Sequence, residues 1–295
     1  MKGFRLALIQ TRGNCLQAER FAKLQERILQ AAVQGAQVVI LPELVFHDYF
    51  CIEEDQRHFD LAQGLDDPAL EALAALAKER AIVLVVPIFE KRAPGLYHNS
   101  AIVYDADGSR AGLYRKMHIP DDPGFYEKYY FTPGDLGFQA FQTRYGRIGV
   151  LICWDQWFPE GARLTAMQGC DLMVYPTAIG FDDRETEGLT PPEAKSLNGK
   201  WLDAWVTMQR SHAIANGVYV AAVNRVGQEG HLRFWGNSFV CDPGGQVLDR
   251  LDETREGLLI RDIRTDEVEN HRRVWPFLRD RRIDAYSDLL KRFSR

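Results

Sequence analysis

The segment Ala32-Val-Gln-Gly-Ala-Gln-Val-Val-Ile-Leu-Pro-Glu43 returns later as Ala166-Met-Gln-Gly-Cys-Asp-Leu-Met-Val-Tyr-Pro-Thr177, with Ala, Gln, Gly and Pro coinciding at one offset. A second pair, Asn99-Ser-Ala-Ile-Val-Tyr-Asp-Ala-Asp-Gly108 and Asn237-Ser-Phe-Val-Cys-Asp-Pro-Gly-Gly245, matches at nearly the same offset after one gap. The chain therefore reads as internally duplicated. In the first half, apolar and β-branched runs bounded by turn residues predict strands at Arg5 to Gln10, Val38 to Leu41, Ile82 to Pro87, Ser100 to Tyr104 and Arg110 to Arg115. In the second half they predict strands at Arg147 to Ile152, Leu172 to Tyr175, Val218 to Val223, Ser238 to Cys241 and Leu258 to Arg261. Runs such as Val38 to Leu41 are continuously apolar, which suits strands covered on both faces. Pro159 opens one helix at its favoured first position, and Asn198 to Asn216 forms another that Gly217 stops.

Strands alternating with helices, and hairpins closed by Asp-x-Asp-Gly and Asp-Pro-Gly-Gly turns, imply an α/β fold in which two mixed sheets pack together between helices. A length of 295 residues suggests about two domains at roughly 150 residues each. The segment Thr132-Pro-Gly-Asp135 is too short for a linker, however, so the halves are expected to form a single domain over residues 1–295. Open α/β sheets bind ligands at the C-terminal ends of their strands. Those ends carry Glu43, Cys153 and Thr177.

Composition narrows the function. With 36 Lys+Arg against 41 Asp+Glu, the net charge of −5 lacks the basic footprint of a nucleic-acid binder and favours a cationic small molecule. The longest apolar runs, Ala81 to Phe89 and Val38 to Leu41, fall short of the ~18 residues that signal a membrane span. Nothing near the N-terminus reads as an export signal. The five cysteines, Cys15, Cys51, Cys153, Cys170 and Cys241, are odd in number and show no C-x-x-C or zinc spacing. A soluble protein of the reducing cytoplasm is the expectation.

Cys153 ends an apolar strand just before a helix, where free N–H groups and a positive dipole end favour a thiolate. An ordinary thiol with a pKa near 8.5 still needs a base or a cation to activate it, and Glu43 and Lys116 are the candidates. A carboxylate at the end of a buried strand needs a reason to be there, whereas Lys116 alone reads as a solvated charge. Cys15, Cys51, Cys170 and Cys241 read as small buried hydrophobes.

Taken together, Leu-Pro-Glu43, Tyr-Arg-Lys116 and Ile-Cys153-Trp-Asp155 resemble the nitrilase superfamily of carbon-nitrogen hydrolases over nearly the whole chain. The stretches Lys116 to Asp135 and Cys153-Trp-Asp-Gln-Trp-Phe-Pro-Glu160 resemble its N-carbamoylputrescine amidohydrolase branch. That resemblance implies an α-β-β-α sandwich, with Glu43 as general base, Lys116 as cationic stabiliser, Cys153 as nucleophile and Glu127 as a second carboxylate in the pocket. It implies no metal or cofactor. It also implies a homo-oligomer, in which the tail from about 274 to 295 packs on a neighbouring subunit.

The expected chemistry is attack of Cys153 on a ureido carbonyl. The oxyanion would lie between Lys116 and the backbone N–H of Trp154, ammonia would leave, and water would then hydrolyse an S-carbamoyl intermediate. Asp182 is the favoured partner for a distal ammonium, and Arg184 keeps a carbamoyl amino acid substrate open. Tyr49 is a candidate pocket wall. A Cys-His pair using His47 or His118 is the competing mechanism, but neither histidine has an evident carboxylate partner in the sequence. A catalytically silent binding protein would show a damaged Glu-Lys-Cys set, and this one is intact. No G-x-G-x-x-G or Walker motif supports nucleotide binding. The Trp201, Trp205 and Met208 spacing reads as a core or oligomer face.

Overall fold

The computed structural model describes residues 2–13 and 17–293; Cys15 lies outside the described residues. Its strands in chain order are β1 (Gly3–Gln10), β2 (Val38–Ile40), β3 (Val83–Ala93), β4 (Leu96–Tyr104), β5 (Arg110–Arg115), β6 (Ala140–Gln142), β7 (Arg147–Val150), β8 (Leu172–Thr177), β9 (Gly180–Asp182), β10 (Tyr219–Asn224), β11 (Val226–Glu229), β12 (Leu232–Trp235), β13 (Phe239–Cys241), β14 (Val247–Arg250) and β15 (Gly257–Arg264). Two six-stranded sheets run β15-β1-β2-β3-β4-β5 and β14-β13-β10-β8-β7-β6, and a small third sheet runs β11-β12-β9. Each large sheet has a parallel centre, β1-β2-β3 in one and β7-β8-β10 in the other, with antiparallel strands on both sides. The duplication seen in the sequence is thus a duplication of sheet topology.

Side-chain alternation builds the layers. Leu6, Leu8, Val38, Ile40, Val83 and Val85 face a core shared with Ile148 and Val150 of the other sheet. The intervening Ala7, Ile9, Val39, Leu84 and Val86 pack on Leu24 and Ile28 of the helix Gln17–Val33 and on Leu70 and Leu73 of the helix Pro68–Arg80. Strands covered on both faces explain the unbroken apolar runs. The repeated glycines have one job in each half: Gly35 and Gly169 take φ of 84° and 85° after the helices that precede β2 and β8, a left-handed conformation that costs glycine little. The two hairpin turns close as their residues require, with Gly108 N–H donating to Asp105 and Gly245 N–H to Asp242, each at 2.9 Å.

Three expectations need correction. The strand around Leu258 to Arg261 does not complete the second sheet; as β15 it pairs with all eight residues of β1 and closes the edge of the first. The place expected for it belongs to β14, whose Asp249 and Arg250 face solvent and left only a weak strand signal. The helix ending at Asn216 starts earlier than Asn198, at Pro191, and Gly217 ends it with φ of 57° as expected. The spacing read as one core or oligomer face divides: Trp205 is fully buried in the core, whereas Trp201 is half exposed. No helix among the described residues is long and apolar enough to cross a membrane.

Candidate active site

Glu43 follows β2, Lys116 follows β5, and Glu127 opens the short helix Glu127–Tyr130. All three are fully buried and meet at one point. The Lys116 ammonium donates to Glu43 Oε1 at 2.8 Å and to Glu127 Oε2 at 2.6 Å. Asn99 on β4 donates its amide to the same oxygens, at 2.7 Å and 3.4 Å. The Tyr49 hydroxyl donates to Glu127 Oε1 at 2.8 Å. Glu127 therefore has both oxygens engaged, whereas Glu43 Oε2 is buried with no partner among the described residues. An unpaired buried oxygen is rare and demands an explanation.

Backbone geometry delivers these groups. The Lys116 N–H bonds the Asn99 carbonyl, and its own carbonyl accepts from Gly134 at 2.8 Å. A Cβ on Gly134 would lie 2.1 Å from the Arg115 carbonyl oxygen, so only glycine permits this close approach. Thr132-Pro-Gly-Asp135 is thus a strap across the Lys116 backbone. Leu44 and Cys153, at the two strand ends, have φ of 49° and 41°, strained values for side-chain-bearing residues that persist where the surroundings over-determine them.

Cys153 begins a short 3-10 turn, Cys153–Trp157, ahead of the helix Pro159–Met167. Next to it, Gln156 is anchored to the long helix: its Oε1 accepts from Trp205 Nε1 at 2.7 Å and Gln209 Nε2 at 2.9 Å, and its carbonyl pairs with His212. Burial, followed by the charge of Glu43, raises the Cys153 thiol well above its usual range, while Lys116 opposes them. Desolvation thus outweighs the helix end, which by itself favours a thiolate. Burial lowers the proton affinity of Lys116, but Glu127 and then Glu43 outweigh it and keep the amine an ammonium. For Glu127, burial raises the pKa and Lys116 lowers it; with Glu43 adding to the rise, the carboxyl is pushed up to about 7. Two carboxylates share one ammonium here, and burial leaves the surplus negative charge poorly solvated.

Cys153 and Glu127 open onto a cavity of about 520 Å³ lined also by Asp122, Asp182, Glu185, Phe125, Phe181 and four tryptophans, Trp154, Trp157, Trp201 and Trp235. Among the described residues, four carboxylates and no Lys or Arg line it. Trp154 and Asp182 both stand on its wall. Asp182, however, is occupied: its carboxylate accepts from Arg184 Nε at 2.9 Å and Nη2 at 2.5 Å, with His231 3.8 Å away. Tyr49 is not part of the wall; it lies behind Glu127 as its hydrogen-bond donor. Thr177 turns its hydroxyl back to the Tyr175 carbonyl at 2.9 Å.

The histidines take other parts. His47 is buried, and burial followed by the nearby Arg20 and Arg225 pushes it down to about 4. His118 does have a carboxylate partner, contrary to the sequence reading, because Asp155 lies 2.8 Å from its Nδ1. The charges acting most strongly on Cys153 are those of Glu43, Lys116 and Glu127. Cys51, Cys170 and Cys241 are buried and free. Sequence reasoning passed over Asn99, although it heads the second repeated segment, and quoted Asp155 without giving it a role.

A model of the carbon-nitrogen hydrolase family matches residues 5–273. The chain is 37% identical to a citrullinase of Francisella tularensis subsp. tularensis over 99% of its own length and 100% of the relative's. It is 40% identical to an N-carbamoylputrescine amidase of Solanum tuberosum, over 90% and 88% of the two chains. Among solved structures, a carbon-nitrogen hydrolase from Helicobacter pylori G27 superimposes with a TM-score of 0.92 at 43% identity, covering 99% of this chain and 100% of that one.

Proposed function

The chain belongs to the carbon-nitrogen hydrolase family, and from that premise we propose that it hydrolyses the terminal ureido C–N bond of N-carbamoylputrescine, releasing putrescine, ammonia and carbon dioxide. The observation that carries this substrate is the cavity lining: carboxylates and tryptophan faces with no basic residue attract an alkylammonium and repel a carboxylate. The relatives named N-carbamoylputrescine amidase support the same choice.

A ureido carbonyl is a poor electrophile, so attack needs a nucleophile formed in place and an oxyanion stabilised as it forms. Glu43, through its unpaired Oε2, takes the proton of Cys153 while sulfur bonds to the carbonyl carbon. The oxyanion lies between the Lys116 ammonium and the Trp154 N–H. Collapse breaks the bond to the terminal nitrogen, which leaves as ammonia with the proton held by Glu43. Water deprotonated by Glu43 then attacks the S-carbamoyl carbon, sulfur departs, and the carbamic acid loses carbon dioxide to give the amine. Glu127, fixed by Tyr49, holds the ammonium of Lys116 in place.

Asp182 is neutralised by Arg184, so the distal ammonium pairs instead with Glu185, an exposed cavity-lining carboxylate with no ion pair among the described residues. A ureido amino acid such as citrulline would need a cation for its carboxylate, and Arg184 is committed to Asp182. Exposed Trp275, Ile283, Leu290 and Phe293 support a homo-oligomer whose tail covers a neighbouring subunit. A cytoplasmic setting suits the free thiols.

The test is ammonia release by purified protein from N-carbamoylputrescine, L-citrulline and N-carbamoyl-β-alanine. N-carbamoylputrescine should be cleaved with the highest kcat/KM; citrulline first would replace the substrate and leave the chemistry standing. Glu185→Gln should raise KM for N-carbamoylputrescine about tenfold, the equivalent of one modest ion pair, and leave N-butylurea unaffected.

A further inference from the structure

One buried carboxylate joins the two halves of this site without a part in the steps above. Asp155, two residues past Cys153, is fully buried and accepts four hydrogen bonds. Its Oδ2 takes the Tyr114 hydroxyl at 2.7 Å and the Ile152 N–H at 2.9 Å; its Oδ1 takes the His118 N–H at 3.0 Å and faces His118 Nδ1 at 2.8 Å. Tyr114 and His118 stand two residues to either side of Lys116, and Ile152 directly precedes Cys153. The His118 ring is itself clamped, stacked on Phe158 with centroids 3.8 Å apart and planes 3° from parallel.

Resting on the reading of Cys153 as nucleophile and Lys116 as oxyanion partner, we propose that Asp155 is a positioning residue that holds the Cys153 elbow in register with the Lys116 ammonium through Tyr114 and His118. Four contacts converge on this one buried side chain, and the positive φ of Cys153 needs such restraint on the segment that carries it. Gln156 anchors the other side of the same turn to the helix Pro191–Asn216. Loosening Asp155 therefore shifts the thiol relative to Lys116 and leaves the turn attached. An asparagine at 155 would turn one acceptor oxygen into a donor facing donors.

Two readouts test this: kcat and KM for N-carbamoylputrescine, and the rate at which iodoacetamide alkylates Cys153, followed by peptide mass spectrometry. Asp155→Asn should lower kcat about a hundredfold with KM within about twofold, the pattern of an interaction felt in the transition state. Tyr114→Phe and His118→Ala should each lower kcat about tenfold, near the value of one hydrogen bond to a charged group, and slow alkylation in parallel. His118→Asn, whose amide nitrogen stands in for Nδ1, should recover most of the His118→Ala loss. If Asp155→Asn does not fold, the Tyr114 and His118 variants decide. Wild-type kcat and alkylation in Tyr114→Phe and His118→Ala, with only Tm lowered, would overturn the positioning role while leaving the nucleophile intact. Wild-type enzyme that keeps its activity after Cys153 is alkylated would overturn both.

Discussion

Arg115 and Lys116 are neighbours at the end of one strand, and each stands between two carboxylates, yet they build opposite kinds of cluster. Strand alternation sends them to different faces. Arg115 grips Glu90 with two nitrogens, at 2.6 Å and 2.8 Å, and reaches Asp135 at 2.9 Å. The Ser100 hydroxyl adds a further bond to Glu90 at 2.6 Å. Burial works to raise the Glu90 pKa, but the bonds from Arg115 and Ser100 outweigh it and hold the carboxyl below its usual range. On the other face, Lys116 gives Glu43 and Glu127 one bond each, leaving Glu43 Oε2 unpaired and Glu127 pushed up to about 7. A planar guanidinium can satisfy a carboxylate completely, whereas a point-like ammonium shared by two cannot. The satisfied cluster fastens three strands; the unsatisfied one leaves a buried carboxylate oxygen without a partner among the described residues.

The widest gap between the two clusters should appear in turnover. Glu43→Gln should lower kcat at least about a thousandfold, within the range of general acid–base catalysis, and Cys153→Ala should abolish ammonia release. Glu90→Gln should leave kcat per folded molecule within about twofold of wild type; a comparable collapse there would erase the distinction.

Stability should show the reverse order. Glu90→Gln leaves the buried Arg115 guanidinium with Asp135 as its remaining carboxylate and should cost about 2 kcal/mol in urea denaturation. A loss below about 0.5 kcal/mol, the range of ordinary surface substitutions, would mean that the bidentate pair contributes little.

The finest comparison is in pH. Glu90, with its pKa lowered by folding, contributes stability above the usual carboxylate range that is lost as pH falls through its folded value. Glu127, raised from 4.5 to about 7, does the opposite: its contribution is complete below pH 4.5 and is lost as pH rises through about 7. Denaturation curves across pH should show Glu127→Gln removing a downward slope between these values, of at most about 1.4 kcal/mol per pH unit for one proton. Glu90→Gln should instead flatten the acid limb. Both variants flattening the same window would show that the two clusters are not electrostatically distinct.

What could be read from the chain was whatever is encoded locally. Repeated Gly35 and Gly169, apolar runs and turn residues mark strands because backbone sterics and side-chain period act over a few residues. Glu43 and Cys153 stood out because a charge and a thiol directly follow buried strands; Lys116, a candidate that alone reads as a solvated charge, gained weight from the family resemblance, and Glu127 came from it. Asn99 was less legible, since an asparagine in a strand has no signature until a carboxylate from another strand lies beside it. Asp155, quoted only as part of a motif, gained its role from Tyr114 and His118, some forty residues away.

The sequence by itself determined the duplicated layering and the three chemical types at the strand ends. Tertiary structure alone decided which carboxylate meets which cation, that Arg184 occupies Asp182, that β15 crosses to the first sheet, and that burial pushes the Cys153 thiol up. Those outcomes depend on distance and desolvation, and both are set by segments brought together from across the chain.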